Sequence, residues 1–221
     1  MTFAGKAIKY FSNLKTPKLF HKEVGIINPY EAAEVKDVVK KFYKKYFNDN
    51  NKRVFVFGIN PGRFGGGLTG ISFTDPIALR EECGIETDFG TKKELSSKFI
   101  YRMIQEFGGV KRFYSNVFLS ALLPFALIKN GKNYNYYDSS ELADDLKDEI
   151  IKSIKAQIAF GAIRDSVIIL GKKNADYFSA LNNDHAFFNK IVVLEHPRYI
   201  MQYQLRKIDY YISKYLKALG N

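Results

Sequence analysis

The feature that most constrains the fold is a regular alternation of short β-branched and aromatic runs with longer amphipathic stretches. Four runs are typical of buried strands, and they span residues 53–59, 113–119, 166–170 and 190–194. Helical periodicity follows an Asn28-Pro29 N-cap and ends at residues 48–51, and it recurs over residues 94–107, 140–160, 174–181 and 202–219. This alternation predicts an α/β fold with three layers, α/β/α, and a central four-stranded parallel sheet. Its ligand crevice should lie beyond the carboxyl ends of the strands.

Length and residue usage predict one soluble domain over residues 1–221, with a basic helical extension over about residues 1–50. The chain shows no apolar run long enough to span a bilayer, and its start lacks the apolar core of a signal peptide. Cys83 is the single cysteine, so an internal disulfide, a zinc cluster and an iron–sulfur cluster are all excluded. We expect a cytoplasmic protein that needs no metal and no cofactor.

The charge is large and unevenly placed, because 34 basic and 23 acidic side chains leave a net charge of +11. Residues 1–53 hold 12 basic and 5 acidic side chains, residues 54–189 hold 16 of each, and residues 190–221 hold 6 and 2. Basic ends favour a polyanionic partner, since each cation near a phosphate gains from counterion release. A lysine-rich solvated surface is the alternative, above all for the outer side of the helix that follows Asn28.

A glycine-rich loop follows the first predicted strand directly and reads GINPGRFGGGLTGISFTDP from Gly58 to Pro76. It contains a GxGxxG spacing, but Asn60 and Pro61 intervene before any helix, which argues against a dinucleotide site. The lysine and hydroxyl of a nucleotide P-loop are also missing. Unobstructed backbone amides, the polar Asn60 and the aromatic Phe73 suit a flat ring and a sugar phosphate. A tight Asn-Pro-Gly turn in a plain connection is the alternative.

Two further polar residues stand beside predicted strands. His196, followed by Pro197, comes directly after the strand over residues 190–194 and so is predicted at a carboxyl end. Asn116 lies inside the predicted strand over residues 113–119, where a buried amide needs hydrogen-bond partners. It therefore either reads a ligand or bonds to backbone.

The loop, the His196-Pro197 pair and Asn116, taken in order, resemble the uracil-DNA glycosylase superfamily, and most of all its single-strand-selective monofunctional members. The resemblance extends over residues 54–201 and is strongest in the stretch GINPGRFGGGLTGISF. It implies that Asn60 positions the attacking water and that His196 donates to the departing base. It also implies that Asn116 reads the base edge, that Phe73 stacks on the ring, and that backbone around the base comes from Ile59, Pro61 and Gly62.

The chain departs from the family after the histidine, where Arg198 and Tyr199 replace a serine and a further proline. The departure suggests a divergent bacterial branch. Arg63 and Arg198 are predicted to contact DNA, and Tyr199 or Met201 to fill the gap that a flipped nucleotide leaves. The alternative is that Tyr199, Ile200 and Met201 begin the last helix and pack inward.

The resemblance predicts a monomeric, nucleoid-associated glycosylase that removes uracil from single-stranded DNA and leaves an abasic site. Duplex DNA, and other deaminated or oxidised bases such as xanthine, are further candidate substrates. Two alternatives stay open, a catalytically silent nucleic-acid-binding protein of the same fold and a hydrolase of free nucleosides or nucleotides. The first has some support because Asn60, unlike a carboxylate, cannot deprotonate water.

Overall fold

A computed structural model describes residues 1–220, and a four-stranded parallel sheet lies at the centre of that part. Its strands have the spatial order β3-β2-β6-β7 and comprise β2 (Arg53–Gly58), β3 (Val117–Ala121), β6 (Ala162–Leu170) and β7 (Ile191–Leu194). A second, antiparallel sheet of order β1-β4-β5 comprises β1 (Gly25–Ile27), β4 (Ala126–Lys129) and β5 (Lys132–Tyr134). No pattern in the sequence predicted this second sheet, whose strands have only three or four residues each.

Ten α-helices connect these strands within residues 1–220: α1 (Phe3–Ser12), α2 (Ala33–Tyr46), α3 (Gly66–Thr69), α4 (Pro76–Glu81), α5 (Leu95–Phe107), α6 (Val110–Asn116), α7 (Ser140–Gly161), α8 (Lys172–His185), α9 (Pro197–Tyr203) and α10 (Ile208–Ala218). Short 3₁₀ turns cover Pro29–Glu31 and Leu205–Lys207. Asn28 does act as a cap, but of the first 3₁₀ turn, where its side chain accepts a hydrogen bond from the Tyr30 N–H. The last predicted helix is in fact two helices that are separated by the second 3₁₀ turn.

Helices cover both faces of the parallel sheet, because its strands are apolar on both sides. On one face Phe57 packs against Phe178 of α8, with ring centroids 6.5 Å apart. On the other face Val56 of β2 lies beside Met103 of α5 and Tyr215 of α10, around a void of only about 10 Å³. The predicted three-layer α/β/α fold with a four-stranded parallel sheet is therefore confirmed.

The predicted strand over residues 113–119 is wrong in its first half. Gly108 and Gly109, with φ values of 111° and 89°, end α5 and start α6, so that residues 110–116 are helical. Phe113 packs edge-on against Phe107, and the Tyr114 hydroxyl hydrogen-bonds to that of Tyr101. Aromatic residues are enriched in β-strands on average, but that preference depends on context. Here the packing of these aromatic rings in the core overrides it, and the segment is helical.

The first fifty residues are part of the core and are not an appended extension. Phe3, Ala7 and Phe11 of α1 are each at most 2% exposed, and the Phe3 ring contacts those of Phe118 and Phe160. The lysines of α2 that the sequence placed on its outer side are exposed, as a solvated face requires. Deleting this segment would therefore remove core aromatics together with its charge.

Two negative findings concern the described part of the chain. None of its helices is both long enough and apolar enough to cross a membrane. Residues 1–220 also contain no group of three or more His, Cys, Asp and Glu side chains placed to hold a metal ion.

Candidate active site

A cavity of about 320 Å³ opens at the carboxyl ends of β2, β3 and β7, at the edge of the sheet where the alternation predicted a crevice. Eight residues that the sequence singled out line it, namely Ile59, Asn60, Pro61, Gly62, Phe73, His196, Arg198 and Tyr199. They come from two segments more than 120 residues apart in the chain. The parallel register of β2, β6 and β7 brings the two segments together.

The Asn60 side chain is fixed at both ends by backbone that follows β4. Its Nδ2 donates to the Tyr134 carbonyl oxygen at 3.0 Å, and its Oδ1 accepts from the Tyr136 N–H at 3.3 Å. The Tyr136 hydroxyl in turn donates to Asn174 Oδ1 at 2.6 Å, and Asn174 Nδ2 donates to the Leu170 carbonyl oxygen. Asn60 Oδ1 therefore keeps one lone pair with a fixed direction, which suits it to orienting a water molecule.

His196 has a defined proton position. It is the N-cap of α9, and its Nδ1 accepts a hydrogen bond from the Arg198 N–H at 3.2 Å. Because Nδ1 is an acceptor, the ring proton lies on Nε2. Burial, reinforced by the positive charge of Arg198, lowers the pKa of His196 to about 4, so the ring is neutral at physiological pH. The site thus offers a neutral N–H donor.

Phe73 forms an aromatic wall of the cavity and has a strained backbone. Its φ is +57°, in the left-handed region that residues other than glycine rarely adopt. The conformation lays the ring against Gly58, where an added Cβ would collide with it. The ring centroid lies 5.7 Å from that of His196. Strain of this kind is concentrated at functional sites, and the contact explains why residue 58 is a glycine.

Glu94, which precedes α5, lines the cavity although no sequence motif indicated a role for it. Its carboxylate lies against Gly62 and Gly65, and a Cβ on either glycine would overlap it. Burial and the nearby negative charge of Asp75 raise the pKa of Glu94 to about 7, and Arg198 opposes them. A helix start is the only signal that the sequence carries at this position.

The β4–β5 hairpin and the turn after it also contribute to the site, although residues 130–140 had no predicted role. Asn133 and Asn135 line the cavity, and the partners of Asn60 are backbone groups of this stretch. Asn133 Oδ1 accepts from the Arg63 N–H at 3.1 Å. A Tyr- and Asn-rich sequence was the only indication of this contribution.

The structure does not bring Asn116 to the site. Asn116 is the last residue of α6, at the amino end of β3 and so at the opposite edge of the sheet. It is exposed, and its Nδ2 donates to the Arg112 carbonyl oxygen at 2.8 Å. The backbone-bonding alternative therefore describes it. At the carboxyl end of β3 the cavity meets Ala121, which has no polar side chain.

The stretch after His196 is divided between the site and the core. Arg198 and Tyr199 are exposed and line the cavity. Met201 is only 8% exposed and packs into the core, as does Ile200. The inward-packing alternative thus holds for Met201 and Ile200, and of the two residues predicted to fill the gap only Tyr199 is exposed.

A second depression of about 400 Å³ adjoins the cavity and is basic. Arg63, Lys93, Lys132 and Arg198 line it, with Glu94 as its one acidic lining residue in the described chain. The Arg63 guanidinium is held by the Gly131 carbonyl oxygen and lies 4.5 Å from the Phe64 ring centroid. Three of the four cations belong to the electrically neutral middle segment, so folding, and not the basic ends, concentrates positive charge here.

Comparisons with known proteins agree on one family. The model of the Uracil DNA glycosylase superfamily matches residues 44–220. Among solved structures, the crystal structure of wild-type SMUG2 from Pedobacter heparinus is 42% identical to this chain and superposes with a TM-score of 0.96. The match covers 100% of this chain and 97% of the other. A search of curated proteins found no match.

Proposed function

From the membership of this chain in the uracil DNA glycosylase superfamily, we propose that it hydrolyses the N-glycosidic bond of uracil in DNA and leaves an abasic site. The observation that carries the proposal is the pairing of Asn60 and His196 across one cavity. The Asn60 side chain is oriented so that its oxygen can hold a water, and the His196 ring can donate a hydrogen bond from Nε2–H. Both side chains line the open cavity at the carboxyl ends of the strands, where a flipped nucleotide can enter.

The geometry matches the charge distribution of the reaction. Cleavage passes through an oxocarbenium-like state, in which positive charge grows on the sugar and negative charge on the base. The neutral His196 Nε2–H stabilises the developing anion through a hydrogen bond that strengthens as the charge forms. Asn60 Oδ1 holds the water at the anomeric carbon. Since the leaving base has largely departed at that point, the water needs positioning more than deprotonation.

A purely hydrolytic reaction is supported by where the lysines lie. A glycosylase that also cuts the strand needs an amine close to the sugar carbon, in order to form a Schiff base. Lys93 and Lys132 line the outer basic depression, and the inner cavity has no lysine among its described lining residues. The basic depression suits the phosphates of a DNA strand. The proposal is thus a monomeric, cytoplasmic, DNA-bound enzyme without a cofactor, from a divergent bacterial branch.

The first prediction tests the reaction itself. Incubated with uracil-containing single-stranded DNA and a chelator, the protein should release free uracil and leave a strand that breaks only on later alkali treatment. The measurement is base release by chromatography beside strand length on a denaturing gel. An adduct trapped by borohydride would show a lyase, and binding without release would show a silent protein. Release from free deoxyuridine, with little affinity for DNA, would show a nucleoside hydrolase.

A second prediction concerns Tyr199, which is 44% exposed at the cavity mouth. We expect Tyr199→Ala to slow excision from duplex DNA by about 10-fold, and from single strands much less, because only a duplex has a stack that must be held open. Met201→Ala is the matched control at the neighbouring core position. It should lower the melting temperature and leave the ratio of duplex to single-strand rates unchanged. Equal losses on both substrates for Tyr199→Ala would exclude a wedge.

A further inference from the structure

We propose that Glu94 and Asn133 together read the edge of the flipped base and select bases that present an N–H next to a carbonyl oxygen. The proposal rests on the glycosylase function proposed above and adds its specificity determinant. The starting observation is the composition of the cavity wall. At the carboxyl end of β3 the wall is formed by Ala121, whose side chain has no polar atom. Some other polar group must therefore recognise the base.

Asn133 supplies a hydrogen-bond donor of fixed identity. An amide side chain can usually turn over and exchange its donor for its acceptor, and so fails to distinguish uracil from cytosine. Here the Arg63 backbone N–H donates to Asn133 Oδ1 at 3.1 Å, which only an oxygen can accept. Asn133 Nδ2 is therefore turned toward Gly62, 3.4 Å from the position that a Cβ would take on that glycine. Asn133 therefore presents a hydrogen-bond donor to the base, which pairs with a carbonyl oxygen and not with an amino group.

Glu94 supplies the acceptor beside that donor. Its Oε1 lies against the same glycine as Asn133 Nδ2, so the two groups flank Gly62. The carboxylate oxygens receive no hydrogen bond from any described residue, although the Glu94 backbone N–H donates to Asp75 Oδ2 at 2.8 Å. An ionised carboxylate without a donor partner gains most from a ligand N–H. The glycines at 62 and 65 leave the space that it occupies.

The pair defines a class of base. A fixed donor next to an acceptor complements an N–H beside a carbonyl, which uracil presents at N3 and O4 and hypoxanthine and xanthine present at N1 and O6. Cytosine and adenine present the inverse pattern, with a bare ring nitrogen beside an amino group. Each would leave both protein groups unsatisfied, and buried mismatches of this kind discriminate strongly. The pair therefore separates uracil from cytosine and hypoxanthine from adenine, whereas thymine and guanine share the accepted edge and are not separated by it.

The acceptor role has a pH signature. The charged groups facing Glu94 are Asp75 at the start of α4, Arg198 on α9, and the Arg63, Lys93 and Lys132 side chains of the basic depression. Because the pKa of Glu94 is raised to about 7, its accepting form is populated as the pH rises through neutrality. His196, with a pKa of about 4, does not titrate there. kcat/KM for uracil should rise from about pH 6 to about pH 8.

The test combines substitutions in the protein with a chemical change in the base. Single-stranded DNA carries uracil or N3-methyluracil, which lacks the N–H that Glu94 should accept. We expect the wild-type protein to prefer uracil by about 100-fold in kcat/KM, and Glu94→Ala to reduce that preference to a few-fold. Asn133→Asp, which replaces the fixed donor with an acceptor, should lower kcat/KM for uracil by about 10-fold. Glu86→Gln and Asn116→Asp, at exposed positions away from the cavity, are the matched controls.

Glu94→Gln guards against a folding defect, because it keeps the shape and an acceptor oxygen. It should retain the preference for uracil and lose the rise in rate near neutral pH. The proposal is overturned if Glu94→Ala keeps the wild-type preference, if Asn133→Asp leaves uracil kcat/KM unchanged, or if Glu94→Gln keeps the wild-type pH profile. Failure of the wild-type protein to release uracil at all would instead refute the glycosylase function, and this inference with it.

Discussion

His196→Ala is expected to lower the single-turnover rate of uracil release by about 100-fold or more, the usual effect of removing one preorganised donor to a developing anion. The effect should appear in the chemical step, because the neutral ring gives its hydrogen bond most strongly when the base carries negative charge. Affinity for uracil-containing DNA should change much less. The measurements are single-turnover kinetics at saturating enzyme and a separate binding titration.

The variant also removes the N-cap of α9, which costs on the order of 1 kcal/mol of stability. Thermal melting therefore accompanies the kinetics, to show that the protein is still folded at the assay temperature. His185→Ala is the matched control, since His185 is exposed at the end of α8 and does not line the cavity. Near wild-type turnover in His196→Ala would remove this residue from the mechanism.

Asn60→Ala is expected to cause a loss of similar size, about 100-fold or more in the single-turnover rate, because the attacking water loses its orienting group. The structure adds a sharper expectation for Asn60→Asp. The wild-type Nδ2 donates to the Tyr134 carbonyl oxygen at 3.0 Å, and a carboxylate would place an oxygen against that oxygen. Asn60→Asp should therefore not restore the full rate, even though a carboxylate is a stronger base.

Asn116→Ala serves as the control for Asn60→Ala, because Asn116 is an exposed amide that bonds to local backbone at the opposite sheet edge. It should release uracil at the wild-type rate. A fully active Asn60→Ala variant would show that the water is held elsewhere. An Asn60→Asp variant faster than wild type would show that proton abstraction, and not positioning, limits the reaction.

Much of the site could be predicted because its residues lie next to strands in the sequence. The glycine-rich loop follows β2 and His196 follows β7, so a parallel sheet necessarily brings Asn60 and His196 to one edge. Asn116 was misplaced because the strand begins four residues later than the aromatic pattern indicated. That shift moves a polar side chain from a strand interior to the end of a helix at the other edge.

The α/β class, the edge of the sheet that carries the site, and the resemblance to a family that the comparisons confirm could all be read from the amino-acid sequence. These follow from local periodicity and from residues adjacent to strand ends, which the linear chain records directly. Three features became visible only in the folded protein: the burial of Met201, the fixed orientation of the Asn60 and Asn133 amides, and the contact of Glu94 with Gly62. The direction of a side chain and the pKa of a carboxyl depend on neighbours that are distant in the chain, and folding alone brings those neighbours into contact.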